Sequence, residues 1–184
     1  MKNGTKFEPI QKMIDMKNKL WIAFVLLAGF SYAQEYDINT ESAKVKFEYV
    51  DDETKGTITG VSAKIIVSTD SLISTTIEGT ADVNTLSTAN NGRDNHLKSD
   101  DFFDVKKHPT MTFTCSNFYI EDEKTYAKGT LMIKGVEKEV KFRVKTDDKN
   151  IKFYLTIYAS DYGIMSKKER KKTKVIIQVI VPMT

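Results

Sequence analysis

Two histidines, one cysteine and a short charged segment are the residues of this sequence whose types could do chemistry. His96 and His108 lie twelve residues apart in one connection, and Cys115 follows them in an apolar run. A two-histidine metal site needs further ligands at suitable spacing, and no third ligand is evident. A single cysteine excludes an intramolecular disulfide and a multi-thiolate site, so Cys115 is predicted to be a small core residue.

Sequence motifs of the common enzyme classes are also absent. There is no Gly-x-Ser-x-Gly, no His-Glu-x-x-His, no phosphate loop and no dinucleotide fingerprint. We therefore expect no enzyme, no metal and no cofactor. An enzyme would instead show turnover that disappears in a His96→Ala variant.

The N-terminus has the pattern of an export signal. Lys17 and Lys19 precede an apolar stretch at 20–30, and Ser31-Tyr-Ala33 then leads into polar residues. A basic segment, a short apolar segment and small residues before a polar stretch are typical of a cleaved signal peptide. We expect 1–33 to be the signal, with cleavage after Ala33, and 34–184 to be the exported domain, periplasmic or extracellular. Met16 is the natural start of such a signal. We therefore expect 1–15 to be an over-extended gene start, with a longer basic segment as the alternative.

The rest of the chain alternates apolar and polar residues with a period of two, which is typical of strands with one buried face. Turn signals separate the runs at 51–56, 121–124, 134–135 and 147–150. The pattern predicts an all-β fold, an eight-stranded antiparallel barrel, because closing the sheet removes its edges. A two-sheet sandwich is the alternative. The eight runs fall at 43–49, 61–67, 73–83, 111–118, 127–133, 140–144, 151–157 and 175–181.

One polar connection, 88–103, interrupts this period. A short helix over 93–99 is predicted there, and the residue before Pro109 favours a new extended strand. A long connection between tight turns is often functional, although it can equally be a lid that only closes one barrel end.

In this connection the sequence resembles the YceI-like family. Arg93-Asp-x-His-Leu-Lys-Ser99, Phe102-Phe-Asp-Val105 and Pro109 with Phe113 match the family signature, and so do Gly129-Thr-Leu-Met-Ile-Lys-Gly-Val136 and Asp161-Tyr-Gly163. The resemblance runs from about Tyr36 to Val181. One departure is that an Asn-Arg pair common in the family is Tyr158-Ala159 here, which leaves head-group preference open.

The resemblance implies an exported, non-enzymatic, lipocalin-like barrel that binds an isoprenoid-type lipid, such as a polyisoprenoid or a quinone tail. Such a tail needs only an unfilled apolar interior. The alternative is an exported, non-catalytic interaction or stress-response module with a filled barrel. The inward faces of the runs supply the predicted lining, namely Phe47, Tyr49, Val61, Ile65, Val83, Phe113, Leu131, Phe142, Phe153 and Leu155.

The connection supplies a predicted pocket mouth or lid. Its polar residues could meet a head group, or they could form only local ion pairs and helix-end hydrogen bonds. The two phenylalanines could plug the pocket or merely anchor the lid. The residues of the predicted mouth are Arg93, Asp94, His96, Leu97, Phe102 and Phe103.

The balance of basic and acidic residues limits the kinds of partner that the domain could bind. Of the 28 basic and 25 acidic residues, five and two lie in 1–33, which leaves 23 of each in the domain. This balance argues against nucleic acid, as does export. The strongest basic run precedes the last strand and is either a solvated loop or a transient contact with anionic membrane. Its predicted contact residues are Lys167, Lys168, Arg170, Lys171 and Lys172.

Overall fold

The computed structural model describes residues 34–38, 40–67, 75–166 and 168–182, and the predicted signal at 1–33 lies outside this part of the chain. The described residues form one antiparallel sheet with a short helix. The strands are β1 (Gln34–Ile38), β2 (Lys44–Tyr49), β3 (Thr54–Ile58), β4 (Gly60–Val67), β5 (Thr75–Asp82), β6 (Thr110–Glu121), β7 (Lys124–Ile133), β8 (Val136–Thr146), β9 (Asn150–Tyr158) and β10 (Lys174–Pro182). The α-helix, α1, is Asn91–Lys98, and three 3-10 turns lie at Val83–Thr85, Ala159–Tyr162 and Arg170–Thr173.

The sheet has the strand order β1-β4-β5-β6-β7-β8-β9-β10-β2-β3, and all neighbours are antiparallel. The prediction of an antiparallel barrel with one short helix is confirmed, but the described residues form ten strands where eight were expected. The difference lies at the start of the domain. β2 pairs with β3 while β1 pairs with β4, so each of two long strands is interrupted and counts as two.

The barrel is nearly closed at the interruption between β3 and β4. β3 and β4 are separated only by Thr59, and the Thr59 and Gly60 amides both donate to Thr85 Oγ1, at 3.0 and 3.1 Å. Thr57 also exchanges two backbone hydrogen bonds with Ser87, of 2.8 and 2.9 Å. β3 is thus the last strand at one end of the sheet, while β4 lies beside β1 at the other end.

The turns follow from local backbone chemistry. Lys134 and Gly135 both have positive φ, 51° and 75°, and they link β7 to β8 in two residues, as a hairpin with matching twist requires. The expected turn at 51–56 is shorter than predicted, because Thr54 already begins β3.

A bulge in β6 sets the phase of the β6–β7 hairpin. The pairing shifts between Cys115 and Asn117, where β6 lies against Gly129. A Cβ on Gly129 would lie 2.1 Å from Thr114 O and 2.8 Å from Cys115 Cα, so only glycine permits this approach.

Helix α1 lies over one end of the barrel, which we call the helix end. Asn90 caps the helix by accepting from the Arg93 amide at 3.0 Å. The helix begins at Asn91, two residues earlier than predicted, because Asn90 caps it there. After it, Phe102 and Phe103 pack against a core cluster that includes Ile133, Ile157 and Tyr162.

The opposite end, which we call the turn end, carries the β6–β7 and β8–β9 turns. Alternation places one face of each strand inside. In β7 the inward Ala127, Leu131 and Ile133 are buried, while Lys124 and Thr130 are exposed. β8 pairs with β9 only over Arg143–Thr146 and Ile151–Tyr154, so these two strands separate towards the helix end.

Candidate functional site: the barrel interior

Except for Val83, which lies in the 3-10 turn after β5, the predicted lining residues lie at inward register positions of the strands. Residues directly opposite each other in an antiparallel pair point to the same side. Phe113 lies opposite Leu131, Val144 lies opposite Phe153, and Phe47 lies opposite Ile177. The period-two pattern therefore brings these separate runs onto one concave apolar surface.

Three phenylalanines form the centre of this surface. The Phe113 and Phe142 ring centroids are 4.8 Å apart at 69°, and those of Phe142 and Phe153 are 6.3 Å apart at 88°. Such edge-to-face contacts are favourable for aromatic rings. Phe142 is only 3% exposed, in a cluster with Cys115 and Ala127.

The other predicted lining residues divide between two clusters. Leu131 and Leu155 belong to the cluster beneath Phe102 and Phe103, which also contacts Phe113. Val83 belongs to a second cluster, with Phe47 and Val61 packed against it. Ile65 lies on β4, and its side chain is outside the described part of the structure.

Tyr49 differs from the other lining residues because its hydroxyl has polar partners. It is 6% exposed, its hydroxyl donates to Lys172 O at 2.7 Å, and it accepts from Lys168 Nζ at 2.8 Å. Tyr49 thus ties the basic run to β2 at the helix end.

Several inward residues are only half-buried although they face these clusters. Phe47, Val61, Phe113, Phe153 and Leu155 are of this kind. Close-packed cores bury such side chains almost completely, so these inward residues are packed less fully than the residues of a closed core.

Part of the inner face was not predicted from the sequence. Ile77, Val140, Val144 and Val179 pack against the phenylalanine cluster and lie on the same alternation, which could have identified them. Phe118 and Ile120 could not be identified in this way, because the β6 bulge reverses the inward phase after Cys115.

At the predicted mouth, Arg93 and Asp94 form a local network around Thr88. Asp94 is 7% exposed and accepts from the Thr88 amide at 2.8 Å and from Thr88 Oγ1. Arg93 donates from Nε to Thr88 Oγ1 at 2.8 Å and from Nη2 to Thr88 O at 3.0 Å. Burial opposes ionisation of Asp94, but the Thr88 hydrogen bonds nevertheless hold its pKa below 3.8. These contacts fasten the connection to the start of α1.

The remaining predicted mouth residues pack around the same connection. The His96 and Phe102 ring centroids are 4.8 Å apart at 78°, and His96 Nε2 lies 3.7 Å from Asp101 Oδ2. Leu97 and Phe103 pack against the cluster containing Val83. The described contacts bring these residues together as a cover over the helix end.

The basic run is partly engaged within the molecule. Lys168 contacts Tyr49 and Asp51, and Arg170 pairs with Asp161. Lys171 and Lys172 are exposed, and Lys167 lies outside the described residues. Contact of this run with membrane stays a prediction.

An open groove of about 530 Å³ lies outside the barrel, where β2, β3 and β10 meet Ser87–Ala89. The charged side chains Lys46, Glu48 and Lys55 line it, so it does not suit an isoprenoid tail. Within the described residues there is no group of three or more His, Cys, Asp or Glu side chains placed to hold a metal. Nor does any helix there have the length and apolar character to cross a membrane.

The fold and its apolar inner face define a nearly closed, lipocalin-like antiparallel barrel. The chain belongs to the YceI-like domain family, whose model matches residues 36–182. The resemblance noted in the sequence is thereby confirmed.

Relatives and solved structures agree with this assignment. A "UPF0312 protein" of Pectobacterium carotovorum is 38% identical over 66 residues, 36% of this chain and 34% of the relative. A "UPF0312 protein" of Pseudomonas aeruginosa is 33% identical over 69 residues, 38% of this chain and 36% of the relative. The chain thus spans about a third of the length of these curated relatives.

Several solved structures share the fold. Burkholderia cenocepacia BcnA matches with a TM-score of 0.67 and 21% identity, and the match covers 80% of this chain and 100% of that one. A "polyisoprenoid binding domain" from Saccharophagus degradans matches with a TM-score of 0.58 and 16% identity, covering 82% of this chain and 97% of that one.

Proposed function

We propose that this protein is exported and encloses the tail of an isoprenoid-type lipid in its barrel, without catalysing a reaction. The carrying observation is the concave apolar face on which Phe47, Phe113, Phe153 and Leu155 are only half-buried although they point inward. The polyisoprenoid binding named for the Saccharophagus degradans domain supports the same ligand class.

The energetics need only apolar burial. Removing apolar surface from water is worth about 25 cal/mol per Å², so a tail that buries several hundred Å² contributes on the order of 10 kcal/mol before the costs of ordering. The site therefore needs space and apolar walls but no reactive group.

The first experiment is native mass spectrometry of the protein purified gently from its own host. We expect an adduct with the mass of an isoprenoid lipid. Bare protein alone would contradict the proposal.

A matched pair of variants then places the lipid. Gly79 lies opposite Phe113 on the inner face, and an added Cβ there would meet only atoms at 3.9 Å or more. Gly79→Leu should therefore extend into the interior and reduce the bound lipid. The control is Thr80→Leu, because Thr80 Oγ1 contacts Ser62 Oγ on the outer face. Equal loss in both variants would count against binding inside.

The alternative function is an interaction module with a filled barrel. The exposed side chains of Lys171 and Lys172 support this alternative. It predicts that charge reversal at these two lysines abolishes recovery of a partner while Gly79→Leu has no effect. The lipid-binding proposal predicts the opposite pattern.

A further inference from the structure

The turn end exposes two large apolar side chains on the inner face of the barrel. Phe118 is 41% exposed and Ile120 is 53% exposed. Phe118 lies opposite Ala127 and Ile120 opposite Thr125, so both point to the same side as the buried Ala127. The apolar surface therefore continues from the phenylalanine cluster to the rim of this end.

The helix end is closed by comparison. Leu86, Tyr162 and Ile133 are 1%, 2% and 3% exposed, and Phe102 and Phe103 pack over this region. The separation between β8 and β9 is also filled, because Ile157 there is 9% exposed and Val140 packs against two clusters. Among the described residues, apolar side chains of the inner face are therefore exposed at the turn end and covered at the helix end.

The charges of the two described turns at the turn end do not favour an anionic head group. The turns at 121–124 and 147–150 carry five carboxylates and two lysines. Lys141 and Lys152, at outward positions of β8 and β9, form ion pairs with Glu121 and Asp147. A phosphate is normally held by an excess of Arg, Lys or backbone N–H donors, and the described residues of these turns offer no such excess of cations.

We infer that the turn end, with Phe118 and Ile120 at its rim, is the mouth through which the isoprenoid tail enters, and that this mouth takes an uncharged head group. The inference rests on the proposed function and adds the entrance and the class of lipid. It also separates the entrance from the basic run, which lies at the helix end.

The test uses two probes with one tail, geranylgeraniol and geranylgeranyl phosphate. Wild-type protein stripped of lipid is incubated with each in detergent micelles, and bound lipid is counted by native mass spectrometry. The test variant is the double substitution Phe118→Glu with Ile120→Glu. Ile176→Glu, 41% exposed on the outer face of β10, and Val50→Glu, 38% exposed at the helix end, are the matched controls.

We expect wild type to bind the alcohol better than the phosphate, and the double variant to lose about tenfold or more of its affinity for the alcohol while both controls stay within about twofold. Because Phe118 and Ile120 are exposed, the fold should survive, which circular dichroism checks. If the double variant unfolds, Ile120→Glu alone carries the test.

Each failure has a distinct meaning. If wild type takes up neither probe, the proposed function fails and the mouth fails with it. If wild type binds but the double variant behaves like the controls, only the mouth is refuted. Preference for the phosphate overturns the uncharged head group.

Discussion

Arg170 forms a bidentate ion pair with Asp161. The guanidinium donates from Nε to Oδ1 at 2.8 Å and from Nη2 to Oδ2 at 2.7 Å, and its carbon lies 3.8 Å from the centroid of the Tyr158 ring. A planar guanidinium suits both contacts at once. A cation that the sequence suggested for membrane contact therefore fastens the basic run to the end of β9.

Arg170→Lys should lower the melting temperature by about 2–4 °C near neutral pH, because lysine cannot reproduce the fork or the stacking. The Arg170 hydrogen bonds hold the pKa of Asp161 below 3.8. A carboxyl group whose pKa is lower in the folded than in the unfolded protein stabilises the fold at pH values above 3.8. This contribution is lost as the pH falls through the folded-state pKa.

The difference in melting temperature between Arg170→Lys and wild type should thus shrink in acid. Thermal unfolding followed by circular dichroism, at neutral pH and at a pH below 3.8, measures this difference. Lys171→Ala, an exposed neighbour in the same run, is the control and should leave the melting temperature unchanged. A difference that persists below the titration range would contradict the assigned role of the ion pair.

Asp94→Ala should destabilise the protein by about 1–3 kcal/mol, because it leaves the Thr88 amide and hydroxyl without their acceptor in a buried site. Urea unfolding measures this change. Asn95→Ala, an exposed position in the same helix, should stay within about 0.5 kcal/mol of wild type. Since the pKa of Asp94 is lowered, its contribution is present above 3.8 and declines as the pH falls through the folded-state value. Equal effects at the two positions would argue that Asp94 is not a tie of the connection.

Gly129→Ala should cost about 1–3 kcal/mol, because its Cβ would overlap backbone atoms of β6 that have no room to move. Gly79→Ala serves as the control, since its Cβ finds ordinary contacts, and stability there should be unchanged or raised by up to about 1 kcal/mol. Chemical denaturation distinguishes the two. A harmless Gly129→Ala would mean that the β6 bulge relaxes freely.

Cys115 should react with thiol reagents only when the barrel opens. Its side chain is 1% exposed, and burial raises its thiol pKa above 9.0. We expect labelling at least about a thousandfold slower than in urea-unfolded protein, since both access and thiolate are limited. Pulse labelling with mass spectrometry follows this, and rapid labelling of the folded chain would contradict the buried placement.

Much of the fold follows from the period-two pattern. It identifies the strands from β4 to β10 and β2, because each has one face in water and one face inside. It did not identify Thr54–Ile58 as a strand, since Gly56 and the preceding charged residues suggest a turn. The pairing of that segment with β2, and not its own sequence, makes it extended.

The site was predicted less completely than the fold. Inward positions before Cys115 follow the alternation, whereas Phe118 and Ile120 reverse it at a bulge that depends on the approach to Gly129. A local pattern cannot reveal a contact between two strands. Likewise, the use of Lys168 and Arg170 within the molecule depends on Tyr49 and Asp161, which are distant in sequence.

The hydroxyl of Thr85 has a consequence for the circumference of the barrel. It accepts from two amides where the strand breaks at Thr59, and it donates to Asp82 O at 2.7 Å. At this point the Thr85 hydroxyl and one isolated backbone pair, Thr57 with Ser87, stand where continuous backbone ladders connect the strands elsewhere. Because few hydrogen bonds hold this joint, we expect local opening of the wall to begin there, and hydrogen exchange at the Thr59 and Gly60 amides measures how often it opens.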